Sequence, residues 1–350
     1  MTIVFDQVPA GTRVPFVFVE INSTNAQQGP AIQPYEILVI GQRLSTGTIP
    51  ALTPTTVTAA SQAAGYFGAG SQLEEMLNAL FDNARDVPVR VIAQDDPAAA
   101  VKASADLTVT GTATASGIFY LYIGGNRLQV AVANADTATV VAASIASTIT
   151  AAPSLPVTAT SAGAVVTITA KHGGILGNDI QVAVSLNDGE AYPAGIGATV
   201  PTYLASGAGS PDYDLLWPQL ENEVANVWIL GDASPANLTS TEVELDTRWG
   251  PVQQRGAAAF YGRRGTHAEL LTFGGTQNSK HLSCLPADSS PSSPWKWAAA
   301  AAAVVGSYGK RDPARPFQTL PLVGIAPPLP VKRFSFLERD LLLKLSLIHI

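Results

Sequence analysis

Tyr35-Glu36-Ile37-Leu38-Val39-Ile40-Gly41 is apolar at consecutive positions through its centre, so a strand built from it must be covered on both faces. The next segment, 61–84, carries helical signals. Ser71 can cap a helix with Glu74 three residues on, and Leu73, Met76, Leu77, Leu80 and Phe81 share one face. Val87-Pro88-Val89-Arg90-Val91-Ile92-Ala93 then returns as a second strand, and the order strand-helix-strand defines an α/β layer. The same rhythm resumes far downstream. A helix is expected over 213–224, a buried strand over 227–230, a helix over 238–249, a strand over 256–261, a short helix over 267–273 and a strand over 281–285. An alanine-rich helix at 295–306 and an extended, proline-rich segment at 312–330 complete this part.

Between the two halves the composition changes. From 104 to 206 the chain is rich in Thr, Ala and Val, with alternating runs at 107–114, 118–123 and 127–132, a helical stretch at 137–150, and further strands at 157–160, 164–170 and 180–186. Asp95-Asp96-Pro97 precedes this module and Gly207-Ala208-Gly209-Ser210-Pro211 follows it, as hinge and linker. The fold class is therefore α/β (α+β) and multidomain: an α/β core in two parts, 21–103 and 211–335, interrupted by an inserted β-rich domain at 104–206. Ahead of the core, 13–20 is a β-branched and aromatic run broken by Pro15, which suits an edge strand or an extended arm, so 1–20 is expected to be an interaction arm.

Composition excludes several functions. The 350 residues are 47% hydrophobic but only 7% aromatic, with a net charge of −7 and no stripe of Lys and Arg, so the footprint of a nucleic-acid binder is missing. Charged residues make up 13%, few for a free monomer of this size, which fits a surface that ends against something else. The single Cys284 permits no internal disulfide, and folding in a reducing cytoplasm is expected. The start of the chain lacks a signal peptide's basic and apolar regions, and the apolar run at 297–305 is half the ~20 residues that span a bilayer.

No constellation of catalytic type emerges either. His172, His267, His281 and His349 have no metal-ligand spacing, and each is expected to be a surface or satisfied polar residue. Cys284 with His267 or His281 has the residue types of a nucleophile and base, but a small buried thiol on a strand is the expected role. Ile123-Gly124-Gly125-Asn126 and Lys171-His172-Gly173-Gly174 lack the phosphate-loop pattern and are expected to be hairpin turns. Glu74-Glu75 falls in a first helical turn, where the macrodipole favours carboxylates. No Gly-x-Ser-x-Gly elbow supports a hydrolase. No catalytic residue, cofactor or metal is expected.

More specific are Asp312-Pro313-Ala314-Arg315-Pro316, then Thr319-Leu320-Pro321-Leu322-Val323-Gly324-Ile325-Ala326-Pro327-Pro328, then Arg333-Phe334 and Glu338-Arg339 before Leu341-Leu342. This string resembles the tail sheath proteins of Mu-like contractile phages. So do Val14-Pro15 to Glu20, although Phe16 stands where the family has glycine, and within the insert Ile123-Gly124-Gly125, Thr169-Ala170-Lys171-His172-Gly173-Gly174 and Leu176-Gly177-Asn178-Asp179. The resemblance covers essentially the whole chain in order. It implies a virion structural subunit and no enzyme, one that polymerises with its own kind as stacked six-membered rings around a tail tube and contracts to drive the tube through the host envelope.

The implied partners are the tube protein and the baseplate and tail terminator proteins, with no nucleic acid and no membrane contact. Extended arms in such sheaths add strands to neighbouring sheets, which assigns subunit interaction to Val14, Pro15, Val17, Phe18, Val19 and Glu20. Members of the family continue past the Glu-Arg-x-Leu-Leu position, so 336–350 is expected to open a C-terminal domain cut short here. Leu345-Ser346-Leu347-Ile348-His349-Ile350 matches a translated transposon-end adapter used in sequencing libraries and is expected to be foreign to the gene. The competing reading from another class is an adhesin or receptor-binding module, suggested by the Thr/Ala/Gly-rich insert. A sheath subunit should build cylinders; an adhesin should bind carbohydrate or protein as a small oligomer.

Overall fold

The computed structural model describes residues 35–345 apart from 278, 313 and 315. The arm positions Val14, Pro15, Val17, Phe18, Val19 and Glu20 lie outside the described residues, as do 346–350.

In chain order the first half of the core supplies β1 (Ile37–Gln42), β2 (Thr55–Val57), α1 (Ala63–Phe67), α2 (Gln72–Asn83) and β3 (Val89–Gln94). The central module supplies β4 (Lys102–Gly111), β5 (Gly117–Ile123), β6 (Asn126–Val132), α3 (Ala138–Thr150), β7 (Val157–Ala162), β8 (Val165–Gly173), β9 (Val182–Val184) and β10 (Ile196–Thr199). The second half supplies β11 (Val227–Leu230), α4 (Pro235–Trp249), β12 (Ala258–Arg264), α5 (His267–Thr276), β13 (Leu282–Ala287), α6 (Pro294–Arg311) and α7 (Phe336–Lys344).

Side-chain alternation along β1 ties two helical layers to one sheet. Ile37 and Val39 join the cluster containing Leu73, Met76, Leu77 and Leu80 of α2 and the alanines of α6. Leu38 and Ile40 join the opposite cluster with Leu238 and Leu245 of α4 and Leu270 and Phe273 of α5. All six residues of β1 are buried, as an unbroken apolar run demands. The sheet has six strands in the order β13-β12-β11-β1-β3-β2, parallel except for β2, which runs against β3 at the edge. From β1 the chain passes outward to β3, and after the central module it re-enters on the other side at β11 and continues to β12 and β13. The direction of winding therefore switches between β1 and β11.

The alanines of α6 exist because the helix lies almost against the backbone of the sheet. A Cβ on Gly262 of β12 would sit 2.0 Å from the Pro294 carbonyl oxygen, and one on Gly306 would sit 2.8 Å from Ile37 Cδ1. Ala298, Ala299, Ala300, Ala302 and Ala303 are fully buried in that narrow gap.

The module between β3 and β11 contains a four-stranded sheet, β10-β4-β8-β7, and a three-stranded sheet, β6-β5-β9, with α3 packed on them. Bridges Ser104–Ala205 and Val101–Ala208 close its entrance antiparallel. Gly124-Gly125 turns the β5–β6 hairpin with φ of 55° and 83°, the left-handed pair that a type I′ turn requires.

Two local expectations are corrected. Residues 213–224 form two 3-10 turns, Tyr213–Leu215 and Trp217–Gln219, because Pro218 supplies no N–H and its ring would strike the carbonyl four residues earlier in an α-helix. Lys171-His172-Gly173-Gly174 is no hairpin turn: β8 stays paired with β4 out to Gly173, opposite Lys102, and the chain then enters a 3-10 turn at Ile175–Asp179.

Ala302→Leu forces three heavy atoms into this gap, and overpacking of that kind costs about 1–3 kcal/mol. The urea midpoint followed by circular dichroism should fall accordingly, and an unchanged midpoint would show that α6 is not tightly seated.

Candidate functional site: a filled crevice at the strand switch point

Open α/β sheets bind ligands beyond the carboxyl ends of their strands, where the winding reverses. In this chain that place lies past Gly41-Gln42 of β1 and Gly231-Asp232 after β11, and the Gln72 side chain occupies it. The Gln42 backbone N–H donates to Gln72 Oε1 at 2.9 Å, and Gln72 Nε2 donates to the Gly231 carbonyl at 2.7 Å. One amide thus bridges the two strands at the switch point. A Cβ on Gly231 would lie 2.7 Å from Gln72 Oε1 and one on Gly41 would lie 3.0 Å from Leu73 Cδ2, so both strand ends need glycine for the helix to come this close.

The start of α2, normally an anion site, is also taken. Ser71 Oγ accepts from Glu74 N at 3.1 Å, and the Gln72 N–H donates to His172 Nε2 at 3.0 Å. Nε2 therefore carries no proton, and Nδ1–H points to Asp96 Oδ1 at 2.8 Å. Asp96 also accepts from Gln42 Nε2 at 2.9 Å and from Gly173 N at 2.6 Å. This Asp-His pair resembles part of a relay, yet the nitrogen that would take a proton is already bonded to a backbone N–H. It works as a clamp that fastens the end of β8 to the core.

Other contacts fasten the module at neighbouring points. Lys171 Nζ donates to the Ala69 and Pro153 carbonyls, and burial lowers its pKa. Ser154 Oγ donates to Glu74 Oε1 at 3.0 Å. Glu75 is buried and accepts from Trp295 Nε1 at 2.9 Å through one oxygen, while among the described residues the other has no hydrogen-bond partner. Desolvation raises its pKa; Lys296 and the Trp295 bond oppose that rise.

Asp179 accepts from Arg264 Nε at 2.9 Å, and burial raises its pKa while Arg264 pulls it down; the same guanidinium lies 3.8 Å over the Tyr203 ring. Behind this pair Asp232, its pKa also raised by burial, accepts from Ser234 Oγ at 2.6 Å and from Asn237 Nδ2. A cleft of about 230 Å³ here is lined by Asp179, Asp232, Arg263 and Arg264 among others; Asp179 pairs with Arg264, while Arg263 lies 3.8 Å over the Phe273 ring.

The nucleophile-base candidates do not meet. Cys284 is a buried thiol on β13 whose pKa is pushed up to about 12 by desolvation, beside Tyr261. His281 Nε2 faces Asp246 Oδ1 at 3.2 Å and His267 Nε2 faces the Glu338 carbonyl at 3.3 Å. Among the described residues no group of three His, Cys, Asp or Glu could hold a metal, and no helix is long and apolar enough to cross a membrane. Gln72, Asp96 and Arg264 were invisible in the sequence because their partners lie tens to over a hundred residues away. The one local signal was a glycine at the end of each central strand.

The fold is thus a doubly wound α/β scaffold whose switch-point crevice is occupied by its own side chains. Residues 206–348 match the family described as phage tail sheath protein central domain. Over 343 residues, 98% of this chain and 70% of the relative, the sequence is 36% identical to the Mu-like prophage FluMu tail sheath protein of Haemophilus influenzae. The chain therefore belongs to the phage tail sheath family, whose members are structural proteins of the virion tail.

Among solved structures it is similar to a sheath tail protein from Desulfitobacterium hafniense, with TM-score 0.36 and 14% identity over 83% of this chain and 62% of that one. It is also similar to one from Listeria innocua, with TM-score 0.27 and 13% identity over 66% of this chain and 48% of that one.

Gln72→Leu would strip partners from the Gln42 N–H and the Gly231 carbonyl, each worth about 1–3 kcal/mol when left unsatisfied. Urea unfolding should show a loss of that order, and a neutral result would deny the bridge its role. Because burial raises the Glu75 pKa, its contribution is full below the ordinary value of 4.5 and is lost as pH climbs through the raised one. Glu75→Gln should therefore gain stability relative to the parent as pH rises from acid to neutral, which thermal melts across pH would reveal; a constant difference would refute it.

Proposed function

We propose that this chain is the repeating subunit of a contractile tail sheath, polymerising around a tail tube and shortening to drive the tube through a host envelope. The observation that carries this reading is 36% identity to a tail sheath protein over 98% of the chain, with the central module included in the match. Self-association is the activity of such a subunit, and the filled crevice is consistent with that: Gln72 and His172 spend the switch point's polar groups on rigidity.

In this reading 1–20 is an arm that pairs, through Val14, Pro15, Val17, Phe18, Val19 and Glu20, with a neighbour's sheet, since an unpaired strand edge is a ready template. The tube, the baseplate and the terminator are its other partners, and assembly takes place in the host cytoplasm. The inserted β-rich domain, 104–206, lies on the outside of the particle, a placement supported by the antiparallel closure of its two ends.

Antibody raised against the module should decorate extended tails along their whole length in negative-stain electron microscopy. Label confined to the tail tip would favour the adhesin reading, and unlabelled tails would overturn both the sheath assignment and the outward placement.

A further inference from the structure

Charge is unevenly distributed along the second half of the chain. No Lys or Arg occurs between Lys171 and Arg248, whereas seven of the 20 Lys and Arg fall within 310–344. The fold turns this into two surfaces. The first is carried by α4 and the 3-10 turns before β11. Asp212, Asp214 and Glu221 are exposed there and Glu242 partly so, and none of the four forms an ion pair among the described residues. Leu215, Val243, Trp249 and Val252 are exposed among them, Val252 by 94%. The turns and the helix form one surface: Ser240 of α4 accepts from Trp217 Nε1 and donates to Asp214, and Arg248 donates to the Leu220 and Glu223 carbonyls.

The second surface is the segment after α6 together with α7. It is held down at intervals: Val323 pairs with Asn83, Ala326 N donates to Ser292 Oγ at 2.9 Å, and α7 leans on α5. Between these anchors it exposes Phe317, Val331, Phe336 and Leu337, with Lys332, Arg333 and Lys344 beside them; Lys310, at the end of α6, gives its Nζ–H to the Asp86 carbonyl. Lys344 pairs with Asp340 and Lys332 reaches Asp288 only at 4.0 Å, while Arg333 gives its Nε–H to the Pro328 carbonyl.

Both surfaces combine exposed apolar side chains with charge, and the signs are opposite. We propose that the acidic surface of α4 and its adjoining turns docks on the basic surface of 310–344 in a second copy of this chain. The inference rests on the sheath reading, which supplies a second copy in abundance. Because the two halves of the contact are different patches, it is heterologous and leaves one of each unused at every step, so it propagates as a ring or helix and cannot close as a two-fold dimer. Apolar side chains supply the adhesion, and charge selects this pairing over acidic-to-acidic or basic-to-basic contacts.

Sedimentation velocity of the 350-residue chain tests the contact, with salt raised from about 0.1 M to about 1 M so that the Debye length falls from ~10 Å to ~3 Å. Self-association should weaken with salt. Glu221→Lys with Glu242→Lys should reduce it by about tenfold or more, equivalent to ~1.4 kcal/mol or more, and Lys332→Glu with Arg333→Glu should do the same. All four changes in one chain should restore it. Circular dichroism confirms that each variant keeps the parent's fold, as exposed positions allow. Association insensitive to salt and to either reversal would overturn this contact while leaving the sheath reading intact. A parent chain that stays monomeric throughout would also overturn it, and the antibody decoration of tails would still decide the sheath reading separately.

Discussion

Gln72 stands where three parts of the molecule have to be joined. Its side-chain amide takes the N–H at the end of β1 and gives to the carbonyl after β11, the two strands between which the winding changes direction. Its own backbone N–H, at the buried positive end of α2, goes to His172 at the end of β8. An amide with one acceptor and two donors on a short stem, set at the first turn of a helix, meets all these needs. The sheet is thereby locked at its switch point, and the module is fastened to it through Asp96, His172 and Gly173.

Much else follows from that switch point. Gly41 and Gly231 are needed because the amide lies within contact distance of both strands. The hydrophobic cluster under α2 and α6 runs on into the module through Ala103, Leu107 and Ala170, so polar clamp and apolar core hold the same junction. The buried carboxyls belong to this region too. Glu75 sits at the junction of α2 with the start of α6, and Asp179 reaches Arg264 from the module to β12. Each of the two carboxyls accepts a bond from another part of the chain, Glu75 through one of its oxygens. A crevice filled with hydrogen bonds is a stiffer link between the parts of the chain than an open one.

The outer surface is organised on another principle. Acidic and basic residues that are mixed in the first half of the chain are sorted in the second, and exposed apolar side chains accompany both sets. Neither patch is explained by the stability of the subunit. Their worth lies in association, where apolar area is adhesive without preference and charge chooses the pairing.

The order of strands and helices, the interruption of the α/β rhythm after Asp95-Asp96-Pro97 and the Gly124-Gly125 hairpin were all legible in the sequence. Each depends on neighbours a few residues apart: the side-chain period of a strand or helix, the cap at Ser71, the left-handed backbone that glycine allows. The same local reading failed at 213–224, where a helical pattern of burial was real but Pro218 broke the backbone into two turns.

Tertiary structure alone decided what fills the switch point, which nitrogen of His172 carries the proton, why Glu75 resists ionising and how the charges are sorted into surfaces. Those outcomes join Gln72 to residues 100 and 159 positions away. Hydrogen bonds over such separations obey distance and desolvation in space, and the one-dimensional periodicity of a chain carries no record of them.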